Sequence, residues 1–289
     1  MAALGVGALG IGLAPFFVRW SIASGVGPTA TAFWRIAFAL PVLALGMWIE
    51  QRKQRPVPHK RPDPRLLILA GLLFAGDLAV WHVSIDLTTV ANATLLANLS
   101  PLVVTLICWR LFGERFGKSF LFALAVALAG VVLLTGAGFE AGSKRLLGDA
   151  LGVATAFFYA SYVVTVKVLR TGYAPATLMF WSGLVMGGVL LVLTVLLREP
   201  MLPEAAKGMK GWLALLGLGL ASHACGQGFI AYALAHLRAA FVALTLLLQP
   251  VFVAILGWFL FDEGFTPLQG AGALLILAGI VWARRKSDA

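Results

Sequence analysis

Asp77 stands near the middle of an otherwise apolar stretch, and Trp81 and Ser84 follow it at i+4 and i+7. On a helix of 3.6 residues per turn these three share one face, with His82 one residue off it. A carboxylate, an indole ring and a hydroxyl in one stripe suit the ammonium end of a small solute. Inside a membrane such a residue is a functional candidate because burying it is costly. The competing assignment is that Asp77 pairs with Arg35, also deep in an apolar stretch, or with another helix, and serves packing. As the acid placed most centrally, Asp77 is also a candidate carrier of a coupling proton.

Two further sets surround prolines. Thr94, Asn98 and Thr105 follow at i, i+4 and i+11 beside Pro101, and Thr245 and Gln249 at i and i+4 beside Pro250. Proline lacks the N–H that would bond the carbonyl four residues back. Either a neighbouring amide or hydroxyl satisfies that carbonyl, or it is open to a substrate amine; Pro15 poses the same choice. Tyr159 and Tyr162 are spaced i, i+3, and His223 and Gln227 i, i+4, all well inside apolar runs. His223 has no Cys, His or carboxylate at ligand spacing, so no metal site is expected. No nucleophile–base–carboxylate set appears, which argues against an enzyme. No GxxxxGK[ST] loop is present either, so neither ATP nor another cofactor is expected.

These side chains must be positioned by long apolar segments. The chain has 289 residues, 61% hydrophobic and 12% charged, against about 25% charged in a soluble protein. Mean hydropathy is +0.94. Such a composition belongs in a bilayer, where each helical span takes about 20 apolar residues. Ten spans are predicted, at 2–23, 28–49, 66–86, 90–111, 119–137, 147–169, 174–197, 211–234, 239–261 and 266–283. The opening MAALGVGALGIG carries no basic leader and reads as the first span. Gly5, Gly10, Gly12, Gly183, Gly187, Gly217 and Gly219 would let helices approach closely. Trp48, Trp109, Trp212, Trp258 and Trp282 fall at span ends, where aromatic belts form.

The net charge of +10 does not indicate nucleic acid, because Lys and Arg gather at the ends of apolar runs. Counted by side, fifteen fall on one face and five on the other, with Arg19 and Arg35 inside spans. The richer face is expected to be cytoplasmic, which places both termini there.

One stretch occurs twice. Pro101, Trp109, Leu111-Phe112, Glu114, Phe116 and Ala129-Gly130 recur as Pro250, Trp258, Leu260-Phe261, Glu263, Phe265 and Ala278-Gly279, offset by 149 residues. A weaker echo, Pro28 with Pro175 and Phe33-Trp34 with Phe180-Trp181, has an offset of 147. The chain therefore reads as two halves, 1–138 and 147–285, of five spans each. Five is odd, so the second half must be inverted. Glu114 is followed by Arg115 and Lys118, whereas Glu263 lies in an acidic, Lys-free stretch, as expected for opposite faces. Inverted repeats with proline-broken helices typify secondary transporters, whose sites lie at the midplane between the halves. Pro15, Pro101, Pro250, Gly130 and Gly279 are the candidate hinge or structural positions.

The duplicated pattern P-x7-W-x-L-F-x-E-x-F, followed by an Ala-Gly-containing apolar run over ten spans, resembles the drug/metabolite transporter superfamily. Within it the chain is most similar to EamA-type ten-helix exporters. Arg35 in the second span and the aromatic-rich span 147–169 look like that family as well. Aromatic, His-containing third and eighth spans make it most like YddG-type exporters of aromatic and neutral amino acids. The second half has Ser182 where the first has Arg35, so the family's basic residue is present in one half. The resemblance implies the ten-helix fold and export as the direction.

The expectation is an all-α integral membrane protein, multi-pass in the inner membrane, exporting small metabolites by alternating access. Its cavity should be lined by Asp77, Trp81, His82, Asn98, Tyr159, Tyr162, His223, Gln227 and Gln249. Few of these are charged and several are aromatic, which suits a neutral or aromatic amino acid. A strongly anionic solute would need more than Arg35, and a polyamine more acids than Asp77. Export of a drug, nucleobase or sugar-derived metabolite, a channel, or a lipid-handling protein are the alternatives. Spans 119–137 and 266–283, nearly free of polar residues, should pack at the periphery as scaffold or as homodimer contacts. The expected partners are a small-molecule substrate and the lipid bilayer.

Overall fold

The computed structural model describes residues 2–52, 62–88, 90–135, 143–261 and 266–287. Ten helical spans emerge. They are α1 (Ala2–Ala23), α2 (Pro28–Arg52), α3 (Arg65–Leu87), α4 (Asn92–Phe112), α5 (Lys118–Thr135), α6 (Leu146–Leu169), α7 (Pro175–Leu196), α8 (Ala205–Leu234), α9 (Ala239–Leu256) and α10 (Pro267–Arg284). Proline opens α2, α7 and α10, where its fixed φ suits a helix start and its missing N–H has no intrahelical partner to lose. Gly113 closes α4 in the left-handed region, at φ 64°, and the Glu114 N–H bonds the Cys108 carbonyl across the turn.

Three spans are interrupted where the prolines stand. α1 divides into Ala2–Gly12 and Ala14–Ala23 ahead of Pro15. At α4 the helix Val90–Ala97 is followed, past a break, by Ser100–Phe112, which has Pro101 in its first turn, and at α9 the helix Ala239–Thr245 is followed by Leu248–Phe261, which has Pro250 in its first turn. α8 departs differently: Leu218–Gln227 is π-helical between two α-helical segments. No sequence signal announces that stretch, which recurs in other proteins at functional sites.

In lipid, helices are held by close packing and interhelical hydrogen bonds. α5 and α10 meet backbone to backbone. A Cβ on Gly130 would lie 2.6 Å from the Gly272 carbonyl oxygen, and one on Gly279 would lie 2.7 Å from that of Ala123. Residue numbers rise along one helix as they fall along the other, so the pair is antiparallel. α2 and α7 are antiparallel too, with Leu40 against Gly183 and Ile36 against Gly187. Of the seven glycines named for close packing, Gly5 faces open space and the other six meet a neighbouring helix.

α2 and α7 also clasp each other at both ends. Glu199, just past α7, accepts the N–H groups of Thr29 (2.7 Å) and Ala30 (3.0 Å) in the first turn of α2. Glu50, near the end of α2, accepts those of Ala176 (2.9 Å) and Thr177 (2.8 Å) in the first turn of α7. Each carboxylate thus satisfies orphan donors at the positive end of the other helix.

α5 and α10 share a separate apolar cluster built on Ala127, Val131 and Ile276. Their outer faces leave Phe122, Leu274 and Trp282 exposed, which places this pair at the periphery as expected. Trp48, Trp109 and Trp282 expose their rings at span ends. Trp212 instead packs edge-on against Trp34, with centroids 5.2 Å apart. The side chain of Trp258, like Glu263, lies outside the described residues.

Candidate functional site

Seven spans, α1–α4, α6, α8 and α9, wall a central cavity of about 70 Å3. Six of the nine predicted residues line it: Asp77, Trp81, Asn98, Tyr159, Gln227 and Gln249. Asp77 lies about 18 Å from one end of α3 and about 15 Å from the other at 1.5 Å per residue, so the cavity is near mid-span.

Asp77 and Arg35 are 6% and 2% exposed, and both face this cavity. They are not joined by an ion pair, and neither makes a hydrogen bond to another described residue. The guanidinium of Arg35 is carried over Phe74, its Cζ 5.7 Å from the ring centroid, and its Nε has no partner. One acid and one base of opposite charge front the same space, with the rings of Phe74, Trp81 and Tyr159 beside them. The Tyr159 hydroxyl and the Gln227 Oε1 are likewise buried without a hydrogen-bond partner.

His82, Tyr162 and His223 are buried but stand outside the cavity wall. His82 is five positions from Asp77, about 140° around the helix, and lies against Trp81 at 5.3 Å. Tyr162 stacks on Phe74 at 4.4 Å, and His223 lies tilted against the same ring at 5.5 Å. The Phe74 ring packs against both. All four imidazole nitrogens are buried and unpartnered. Ser84 shares Asp77's face but lies about 10 Å further along the axis. There it donates to the Gly148 carbonyl of α6 at 2.8 Å rather than facing the cavity.

The prolines resolve in two ways. The residues four positions before Pro15, Pro101 and Pro250 are Ile11, Ala97 and Leu246, and all three line the cavity. Leu246's carbonyl is taken by the Gln249 N–H at 2.9 Å. Asn98 donates instead to the Thr94 carbonyl at 2.7 Å, and Thr105 to that of Pro101 at 2.7 Å. Side chains thus tie down the rims of the breaks, while the carbonyls of Ile11 and Ala97 lose their usual donors at the cavity itself.

Phe74, Ser100 and Thr155 line the cavity too, outside the nine predicted residues, as do Arg35 and Thr94. The repeat points to two of them, Phe74 and Ser100, through His223 and Gln249. Thr94 and Ala243, Ala97 and Leu246, Ser100 and Gln249, and Leu78 and Gln227 are each 149 positions apart, and both members of every pair line this cavity. Phe74 and His223, in ring contact, are 149 apart as well.

Comparison with known proteins agrees with this architecture. The chain is 26% identical to the pseudopaline exporter CntI of Pseudomonas aeruginosa, across 79% of this chain and 78% of that one. It is also 26% identical to a probable terminal-alkyne amino-acid exporter of Streptantibioticus cattleyicolor, across 80% of this chain and 78% of that one. A crystal structure 20% identical in sequence superposes with a TM-score of 0.78 over 100% of this chain and 99% of that chain, showing a shared fold. The model of the EamA-like transporter family matches twice, at residues 2–136 and 146–285. With ten apolar spans, seven of them walling a central cavity, this multi-pass membrane protein belongs to the EamA-like transporter family and is a transporter, not an enzyme.

Proposed function

We propose that the protein exports neutral amino acids, aromatic ones included, by alternating access around the central cavity. The observation that carries this is the cavity's pair of opposite charges, Asp77 and Arg35, neither bonded to a described residue. A zwitterion supplies both missing partners at once, its ammonium to Asp77 and its carboxylate to Arg35. Trp81 and Tyr159 offer ring faces to the ammonium and to an apolar side chain, a cation–π contact being worth about 0.5–2 kcal/mol. Relatives named as exporters, one of them of an amino acid, support both the direction and the class of substrate.

Alternating access rests on two inverted halves, 1–138 and 147–285. The antiparallel α2–α7 and α5–α10 contacts support them, because each contact maps onto its counterpart when the halves are exchanged. Ile36–Gly187 becomes Leu40–Gly183, and Gly130–Gly272 becomes Ala123–Gly279. The reciprocal Glu50 and Glu199 clasps behave in the same way.

In proteoliposomes, excess unlabelled neutral amino acids should drive counterflow of radiolabelled phenylalanine, while a sugar phosphate or a polyamine should not. Trp81→Ala is expected to lower that counterflow about 2–30-fold, the loss of one cation–π face, with folded protein retained on size exclusion. Lys207→Ala, exposed at the start of α8, should leave it unchanged. Full transport by Trp81→Ala together with loss in Lys207→Ala would place the site elsewhere.

Both termini are assigned to the cytoplasm from the charge bias. Lys53→Cys and Lys207→Cys, each in a background lacking Cys108 and Cys225, should label from opposite sides of the membrane. Labelling of both from outside intact cells would refute the orientation.

A further inference from the structure

Two cavities away from the centre meet at Arg115 and Phe116. One, of about 120 Å3, is lined by Arg115 and Ser119, by Arg238 ahead of α9, and by Ala283 near the end of α10. The other, of about 720 Å3, is an open groove along α4 and α5 walled by Leu102, Leu106, Trp109, Leu121 and Leu124. The ends of α4, α8 and α10 fall on the same face of a bundle whose spans alternate in direction, so both arginines sit at one membrane boundary.

Arg115 and Arg238 are exposed and make no ion pair or hydrogen bond with any described residue. Glu114, the neighbouring acid, is turned inward with its Oε2 buried. Ser119 Oγ accepts the Trp282 indole N–H at 2.8 Å, which leaves its own proton free to donate. Two guanidinium groups and a hydroxyl around one small cavity match a phosphate. An apolar groove leading from the same arginine into the bilayer matches an acyl chain. A free phosphate would use the first cavity and leave the second without a purpose. A zwitterionic headgroup would bring its ammonium against two cations, with no acid in the wall.

We propose that Arg115 and Arg238 hold the phosphate of an anionic phospholipid, with an acyl chain lying along the Leu102–Leu106–Leu121 groove. The site is separate from the central cavity and does not depend on the transported substrate.

Native mass spectrometry of the purified chain, titrated with phosphatidylglycerol and with phosphatidylcholine, tests it. One phosphatidylglycerol should be retained at least fivefold more tightly than phosphatidylcholine. Arg115→Ala with Arg238→Ala should remove that preference, about fivefold for each basic residue lost at a membrane surface. The Arg115→Lys, Arg238→Lys pair should keep most of it. Phosphatidylglycerol with short chains should bind more weakly than the long-chain lipid. An unchanged preference in the double alanine variant, or no preference in the parent, overturns the proposal. Displacement of the lipid by millimolar inorganic phosphate, with equal binding of short and long chains, overturns it too, in favour of a free-phosphate site.

Discussion

Asp77→Asn is expected to lower amino-acid counterflow about 10–100-fold while leaving the protein folded. A hydrogen bond to a charged group contributes about 1.5–3 kcal/mol, and each 1.4 kcal/mol is about tenfold. The fold should survive because Asp77 makes no hydrogen bond or ion pair with a described residue, so its replacement by an amide of the same shape breaks no such contact. Arg35 would remain without its acid neighbour across the cavity, and substrate would lose the partner for its ammonium. Counterflow and gradient-driven uptake separate two roles. If counterflow persists while stimulation by a pH gradient disappears, Asp77 carries a proton rather than the substrate. If both survive unchanged, Asp77 has neither role and the zwitterion reading falls.

Gly272→Leu should cost the protein most of its thermal stability. On both sides of this contact the obstacle is backbone: a Cβ at Gly272 would lie 2.6 Å from the Gly130 carbonyl oxygen and 2.6 Å from the Leu134 nitrogen. No flexible side chain is present to yield, so α5 and α10 must separate, toward or beyond the upper end of the about 1–3 kcal/mol usual for overpacking. Gly279→Leu, which meets the Ala123 carbonyl in the equivalent contact, should behave alike. Leu274→Ala, at a residue 68% exposed on the outer face of α10, should leave the melting midpoint nearly unchanged. A Gly272→Leu protein that melts with the parent would mean that these two helices do not touch as described. The contact belongs to the scaffold rather than the cavity, so residual folded protein should still bind substrate.

The apolar runs by themselves determined the number of spans and most of their bounds, because a bilayer demands long unbroken helices and proline marks where they start and break. Pro15, Pro101 and Pro250 pointed to the cavity on the same physical ground, since a missing N–H has the same consequence in any surroundings. Helical periodicity also placed Asp77 and Trp81 on one face, and the cavity lies there. It failed for Ser84, because a shared face does not mean a shared depth, and about 10 Å along α3 the neighbour is the backbone of α6 rather than open space. Nor did it exclude His82, Tyr162 and His223. All three are polar and central, but whether such a residue reaches the cavity depends on which ring stands in front of it, and the ring beside Tyr162 and His223 is Phe74 from a different helix. The Glu50 and Glu199 clasps were equally beyond reach. Each joins residues more than a hundred positions apart, and a carboxylate at the end of one helix acquires its partners when the first turn of another is brought against it.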